Sequence, residues 1–128
     1  MNGYRTIFGM MLAALLLAAL LAAAALETAK PSVSLSTAAT SAKVGSVLRL
    51  TGTVHNTRAG STSVLICEKV GTQWQTIKAA KLSGKHTFAA TVTPEEQGTL
   101  DVRAAYRYRA GRTTVEDDSN AVVITVAA

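Results

Sequence analysis

From Leu100 to Arg109 the chain alternates without a break. Leu100, Val102, Ala104, Tyr106 and Tyr108 fall on one parity, and Asp101, Arg103, Ala105, Arg107 and Arg109 on the other. A repeat of two marks an extended strand whose side chains point to opposite faces, because a helix would scatter these residues around its axis. A strand with one apolar face needs a sheet, and that sheet needs a second layer to cover it.

The same pattern recurs along the stretch from Pro31 to Ala128. Leu48, Leu50, Gly52 and Val54 share one face of a second strand, opposite Arg49, Thr51 and Thr53. Val33 and Leu35 alternate with Ser32, Ser34 and Ser36. Within His86 to Thr93, Phe88, Ala90 and Val92 alternate with Thr87, Ala89 and Thr91. Thr62 to Val70, Trp74 to Ala80 and Ala121 to Val126 complete a set of about seven strands. Breaks fall at Gly45, Asn56 to Gly60, Gly71, Ser83-Gly84, Pro94 to Gly98, and a loop from Gly111 to Asn120. The run Val64-Leu65-Ile66-Cys67 is apolar on both parities, so its strand is either covered on both sides or exposes an apolar strip. The fold class expected is all-β, about seven antiparallel strands in a two-sheet sandwich, with a small barrel as the alternative. Roughly a hundred residues suffice for one such core.

Upstream, the twenty residues Ile7 to Leu26 carry no charged or strongly polar side chain, with Arg5 before them and Glu27 and Lys30 after. As a helix the run would span about 30 Å, the thickness of a hydrocarbon core. Ala22 to Ala25 also supply the small residues that signal peptidase requires. Residues 1–29 therefore fit a cleaved signal peptide and an N-terminal hydrophobic helix kept as a membrane anchor alike. In either case residues 31–128 are expected outside the cytoplasm, secreted or membrane-anchored, with membrane association through Ile7 to Leu26 in the second. The run lacks the early glutamate of a pilin-type leader, and no cysteine ends it.

After residue 30 there are eleven Lys and Arg against seven Asp and Glu. This mild basic excess, with only six aromatic residues in the whole chain, does not describe a nucleic-acid binder. Cys67 is the single cysteine, so no intrachain disulfide can form; it is expected as a buried small side chain, or as a thiol available to a second chain. Catalysis needs convergent groups. His55 and His86 have no serine or carboxylate at a spacing that makes a catalytic set, and His86 shares the parity of Phe88, which predicts a place at the mouth of the core. Neither an enzyme activity nor a cofactor is expected. Glu116, Asp117 and Asp118, with Asn120, could ligate calcium, against the simpler expectation of a solvated hairpin loop.

The candidate interaction surface combines Leu65, Trp74 and Tyr108 as exposed apolar groups with a basic stripe of Arg103, Arg107, Arg109 and Arg112. Solvation of those arginines with cross-strand pairing to Asp101, Glu68 or similar partners is the competing expectation.

Four phrases, in order, carry a family likeness: Leu48-Arg49-Leu50-Thr51-Gly52-Thr53-Val54, Val70-Gly71-Thr72-Gln73-Trp74-Gln75-Thr76-Ile77, Phe88-Ala89-Ala90-Thr91-Val92-Thr93-Pro94, and Gly98-Thr99-Leu100 leading to Arg103-Ala104. Together they resemble the bacterial Ig-like domains of secreted and surface proteins, over Ser32 to Val126. The resemblance implies an immunoglobulin-like β-sandwich used for spacing, adhesion, or protein and carbohydrate binding, with no common active site. Where Leu100 stands the family often has an aromatic whose hydroxyl ties the preceding turn to the backbone; Leu100 keeps the burial and loses that bond. The function this implies is a non-catalytic module binding a protein or glycan at the cell envelope. The alternative is a structural spacer or assembly subunit of an envelope layer or filament.

Overall fold

A computed structural model describes residues 29–128. The apolar run Ile7 to Leu26, with the helix and leader expectations that rest on it, lies outside the described residues. Pro31–Ala128 forms one compact unit.

Nine strands build it: β1 Ser32–Thr37, β2 Ser41–Lys43, β3 Leu48–His55, β4 Ser63–Val70, β5 Gln73–Lys81, β6 Thr87–Val92, β7 Gly98–Ala110, β8 Thr113–Asp118 and β9 Val122–Ala127. They form two sheets, one of three strands in the order β1-β3-β6 and one of six in the order β2-β9-β7-β4-β5, with β8 paired to β7. The fold is an all-β sandwich.

Two elements depart from the expected seven antiparallel strands. The stretch expected as a loop from Gly111 to Asn120 is mostly strand, because β8 pairs with the far half of β7 from Ala105↔Asp118 to Ala110↔Thr113. Its charged residues do not read as strand, yet each meets an arginine or an aromatic across the ladder. The second addition is β2, which runs parallel to β9 with Ser41↔Thr125 and Lys43↔Ala127. Consecutive strands β1 and β2 thus belong to different sheets, and the chain crosses from one layer to the other between Thr37 and Ser41.

The core is what the alternation dictates. Leu35, Leu50, Val54 and Phe88 of the small sheet face Val64, Ile66, Val102, Ala104, Tyr106 and Ile124 of the large one, all buried. Each large aliphatic side chain so buried contributes about 1.5–3 kcal/mol. Gly52 sits in the inward row between Leu35 and Phe88. The Phe88 ring fills the space that a side chain at Gly52 would occupy.

Side chains bonding to backbone hold the layers together. The Tyr106 hydroxyl, on a fully buried ring, accepts from the Arg58 amide at 2.9 Å and donates to the Ser61 carbonyl at 2.9 Å, fixing the β3–β4 loop to β7. Between β8 and β9, Asn120 uses both ends of its amide on one residue of the other sheet. Its Oδ1 accepts from the Leu35 amide at 3.2 Å, and its Nδ2 donates to the Leu35 carbonyl at 2.9 Å. On the opposite flank Lys78 Nζ reaches the small sheet's edge, donating to the Thr91 carbonyl at 2.7 Å and to its Oγ1 at 3.1 Å. A lysine over an otherwise uncharged edge strand blunts the edge against pairing with another chain.

Candidate interaction surface

The outer face of the large sheet is assembled by register. Cys67 of β4 lies beside Arg103 of β7 on one side and Thr76 of β5 on the other, while Leu65 lies beside Ala105. Trp74 enters β5 opposite Lys69. A bulge in the β4–β5 ladder between Ile66 and Cys67 shifts the register there by one residue.

On this face the Arg103 guanidinium stacks on the Trp74 ring, 4.3 Å from its centroid. The same guanidinium meets Asp118 Oδ2 of β8 at 3.3 Å. Because β4 lies between β5 and β7, indole and guanidinium together span it and roof Cys67. That explains how a residue on an outer face is only 5% exposed. The thiol has one polar neighbour, Thr76 Oγ1 at 3.8 Å. On its inner face the apolar run of β4 is covered by the core, and on its outer face Cys67 is covered by this stack. Leu65 and Trp74 remain half-exposed.

The structure divides the arginine stripe. Arg103 is committed to Trp74 and Asp118. Arg107 Nε donates to Glu116 Oε1 at 2.8 Å. The arginines thus pair across strands, with carboxylates of β8 in place of the named Asp101 and Glu68, because β8 lies directly beside the far half of β7. Arg109 and Arg112 sit at the β7–β8 tip, exposed and without an ion pair among the described residues. Tyr108 leaves the candidate surface altogether. It is buried, stacked on Tyr106 with centroids 5.9 Å apart, and covered by the Arg58 guanidinium at 5.5 Å. Its parity with the core residues of β7 was the signal.

The acidic triplet does not converge. Glu116 and Asp118 share one face and engage Arg107 and Arg103, Asp117 lies on the other parity beside Tyr108, and the Asn120 amide is spent on Leu35. Among the described residues no three His, Cys, Asp or Glu side chains cluster to hold a metal ion. The hydrogen bond from Arg107 holds the Glu116 carboxyl below its usual value and raises the Arg107 guanidinium in turn. Asp118 goes the other way: burial pushes its carboxyl up, and the neighbouring Glu116 adds to the rise despite Arg103. Burial, then Asp117, raise the Tyr108 hydroxyl.

The histidines stand apart. His55 ends β3, exposed. His86 is exposed too, rather than at the mouth of the core, because it turns through a positive φ of 64° just before β6. Its Nδ1 lies 2.9 Å from Thr57 Oγ1. No protein-family model matches the chain, and no curated protein matches it in sequence.

Proposed function

We propose that Pro31–Ala128 is a non-catalytic, extracytoplasmic Ig-like module that binds a protein or glycan at the cell envelope through the outer face of its large sheet. The strand order supports the Ig-like reading: three strands β1-β3-β6 face β2-β9-β7-β4-β5, with the first strand divided between the sheets. The run Ile7 to Leu26 supports the compartment.

The observation that carries the function is the Trp74–Arg103–Asp118 stack beside half-exposed Leu65. Tryptophan and arginine dominate the energy of binding surfaces. Here both are held in place on strands before any ligand arrives, which reduces the ordering cost of association.

Trp74 is the only tryptophan, so its fluorescence reports on this face alone. Titrating the purified chain with glycans and wall polymers from a binding screen should shift that emission. Trp74→Ala should weaken the selected ligand at least about tenfold, the scale of one interface anchor, with the β-sheet circular dichroism spectrum retained. A ligand that binds Trp74→Ala and Arg103→Ala as well as the parent would place the site elsewhere.

A second reading, a spacer or assembly subunit, is favoured by one feature. Strand β5 ends the large sheet with nine residues, Gln73–Lys81, whose outer edge no strand covers. Sedimentation showing concentration-dependent self-association, lost on placing proline at Gln75, would support it; a monomer at every concentration would count against it.

A further inference from the structure

We infer that the end of the sandwich where the chain enters is a docking surface for an anionic phospholipid membrane. The register defines that end. Ser32 lies opposite His55, Ser63 opposite Lys81, and β7 runs out to its tip at Ala110. The β3–β4 loop, the β5–β6 loop and the β7–β8 tip therefore gather beside the start of β1.

The unit's surplus positive charge is gathered there. Lys81, Lys85, Arg109 and Arg112 are exposed at this end and have no ion pair among the described residues. Arg58, packed on Tyr108, adds a fifth cation. Of the seven carboxylates, Glu68, Glu95, Glu96 and Asp101 lie toward the opposite end, and Glu116 and Asp118 are engaged by Arg107 and Arg103. Asp117, beside Tyr108, offsets one cation and leaves this end in positive excess.

The occupant follows from where the chain enters. Only Glu27 to Lys30 separate the apolar run from Pro31. Four residues, fully extended, reach at most about 14 Å. With the run retained in a bilayer, this end is tethered within roughly two Debye lengths of the headgroups, close enough for their charge to act on it. A free polyanion would be drawn by the same charge, but only a membrane holding the run is kept beside it by the chain itself. The inference rests on the extracytoplasmic reading above and on retention of Ile7 to Leu26.

The test uses the full chain reconstituted in nanodiscs of phosphatidylcholine, with and without phosphatidylglycerol, read by hydrogen exchange. Residues 56–62, 82–86 and 109–113 should gain protection only with the anionic lipid, and lose it in high salt. The turn at residues 70–73, at the far end, should not change. In the K81Q/K85Q/R109Q/R112Q variant the protection should vanish, at about fivefold per charge removed. Equal exchange in both lipids, or protection that survives in the variant, overturns the inference while leaving the sheet-face reading intact. Protection by an added anionic wall polymer but not by phosphatidylglycerol overturns it as well. A chain that does not enter nanodiscs at all overturns the anchored form of the extracytoplasmic reading, and this inference with it.

Discussion

The ring of Phe88 lies over the backbone of Gly52, in the space a β-carbon would take. A strand glycine ordinarily weakens a sheet, but here its missing side chain lets an aromatic pack directly against the main chain. Gly52→Ala would drive a methyl group into Phe88 and toward the Ser34 carbonyl, which belongs to a paired strand and has little room to retreat. Urea denaturation should show a loss of at least about 2 kcal/mol, within the range of overpacked cores. A neutral result would mean that β1 and Phe88 yield together.

Tyr106→Phe keeps the ring and removes only the hydroxyl. The Arg58 amide and the Ser61 carbonyl then lose a partner in a partly buried position. The expected cost is about 1–3 kcal/mol. Hydrogen exchange should speed up at Arg58 and its loop more than in β7 itself.

Asn120 gives a graded test. Asn120→Ala strips both the donor and the acceptor from Leu35, whereas Asn120→Asp keeps an acceptor for the Leu35 amide and sets a carboxylate against its carbonyl. Both substitutions should lower the melting temperature. The alanine variant should lose about 1–3 kcal/mol. Added calcium should restore neither, since the amide serves β1.

The carboxylates of β8 should shift in opposite directions. Glu116 sits below its usual 4.5 and Asp118 above its usual 3.8. The lowered group stabilises the fold above its unfolded pKa, and that contribution is lost as pH falls through the folded value. The raised group acts oppositely, favouring the fold in acid and losing that contribution as pH rises through its folded value. Glu116→Gln should therefore flatten the loss of stability below pH 4.5, and Asp118→Asn should remove the opposing trend. Carboxyl NMR titration reads the two shifts directly, as apparent values of a coupled pair. Glu116 found above its ordinary value, or Asp118 below its own, would refute the prediction.

How much of this could be read in advance depended on what each residue's role required. Leu50, Val54, Val102 and Tyr106 announce their burial by parity alone, since a sandwich has only two faces to offer. β2 gives no such signal: Ser41-Ala42-Lys43 is short and polar, and it becomes a strand only because β9 passes beside it. β8 misleads for a different reason. Glu116-Asp117-Asp118 reads as loop or metal cluster until Arg107 and Arg103 are seen across the ladder. The family likeness drew notice to a tyrosine hydroxyl missing at Leu100, yet the strand carries a comparable anchor at Tyr106, bonded to a loop whose position no local pattern encodes. On the outer face, Trp74, Arg103 and Leu65 were legible as candidates; their union over Cys67 was not.

The parallel pair β2–β9 also sets how the unit would answer to force. The chain enters at one end of the sandwich and leaves at the other. Tension between Pro31 and Ala128 would draw β2 and β9 past each other along their length. The Val44 amide to the Ala127 carbonyl and the Thr125 amide to the Thr40 carbonyl, each 2.9 Å, then bear load side by side. Bonds loaded in shear must break together, whereas bonds peeled from an edge break in turn. A strand of three residues therefore makes a lock against stretching.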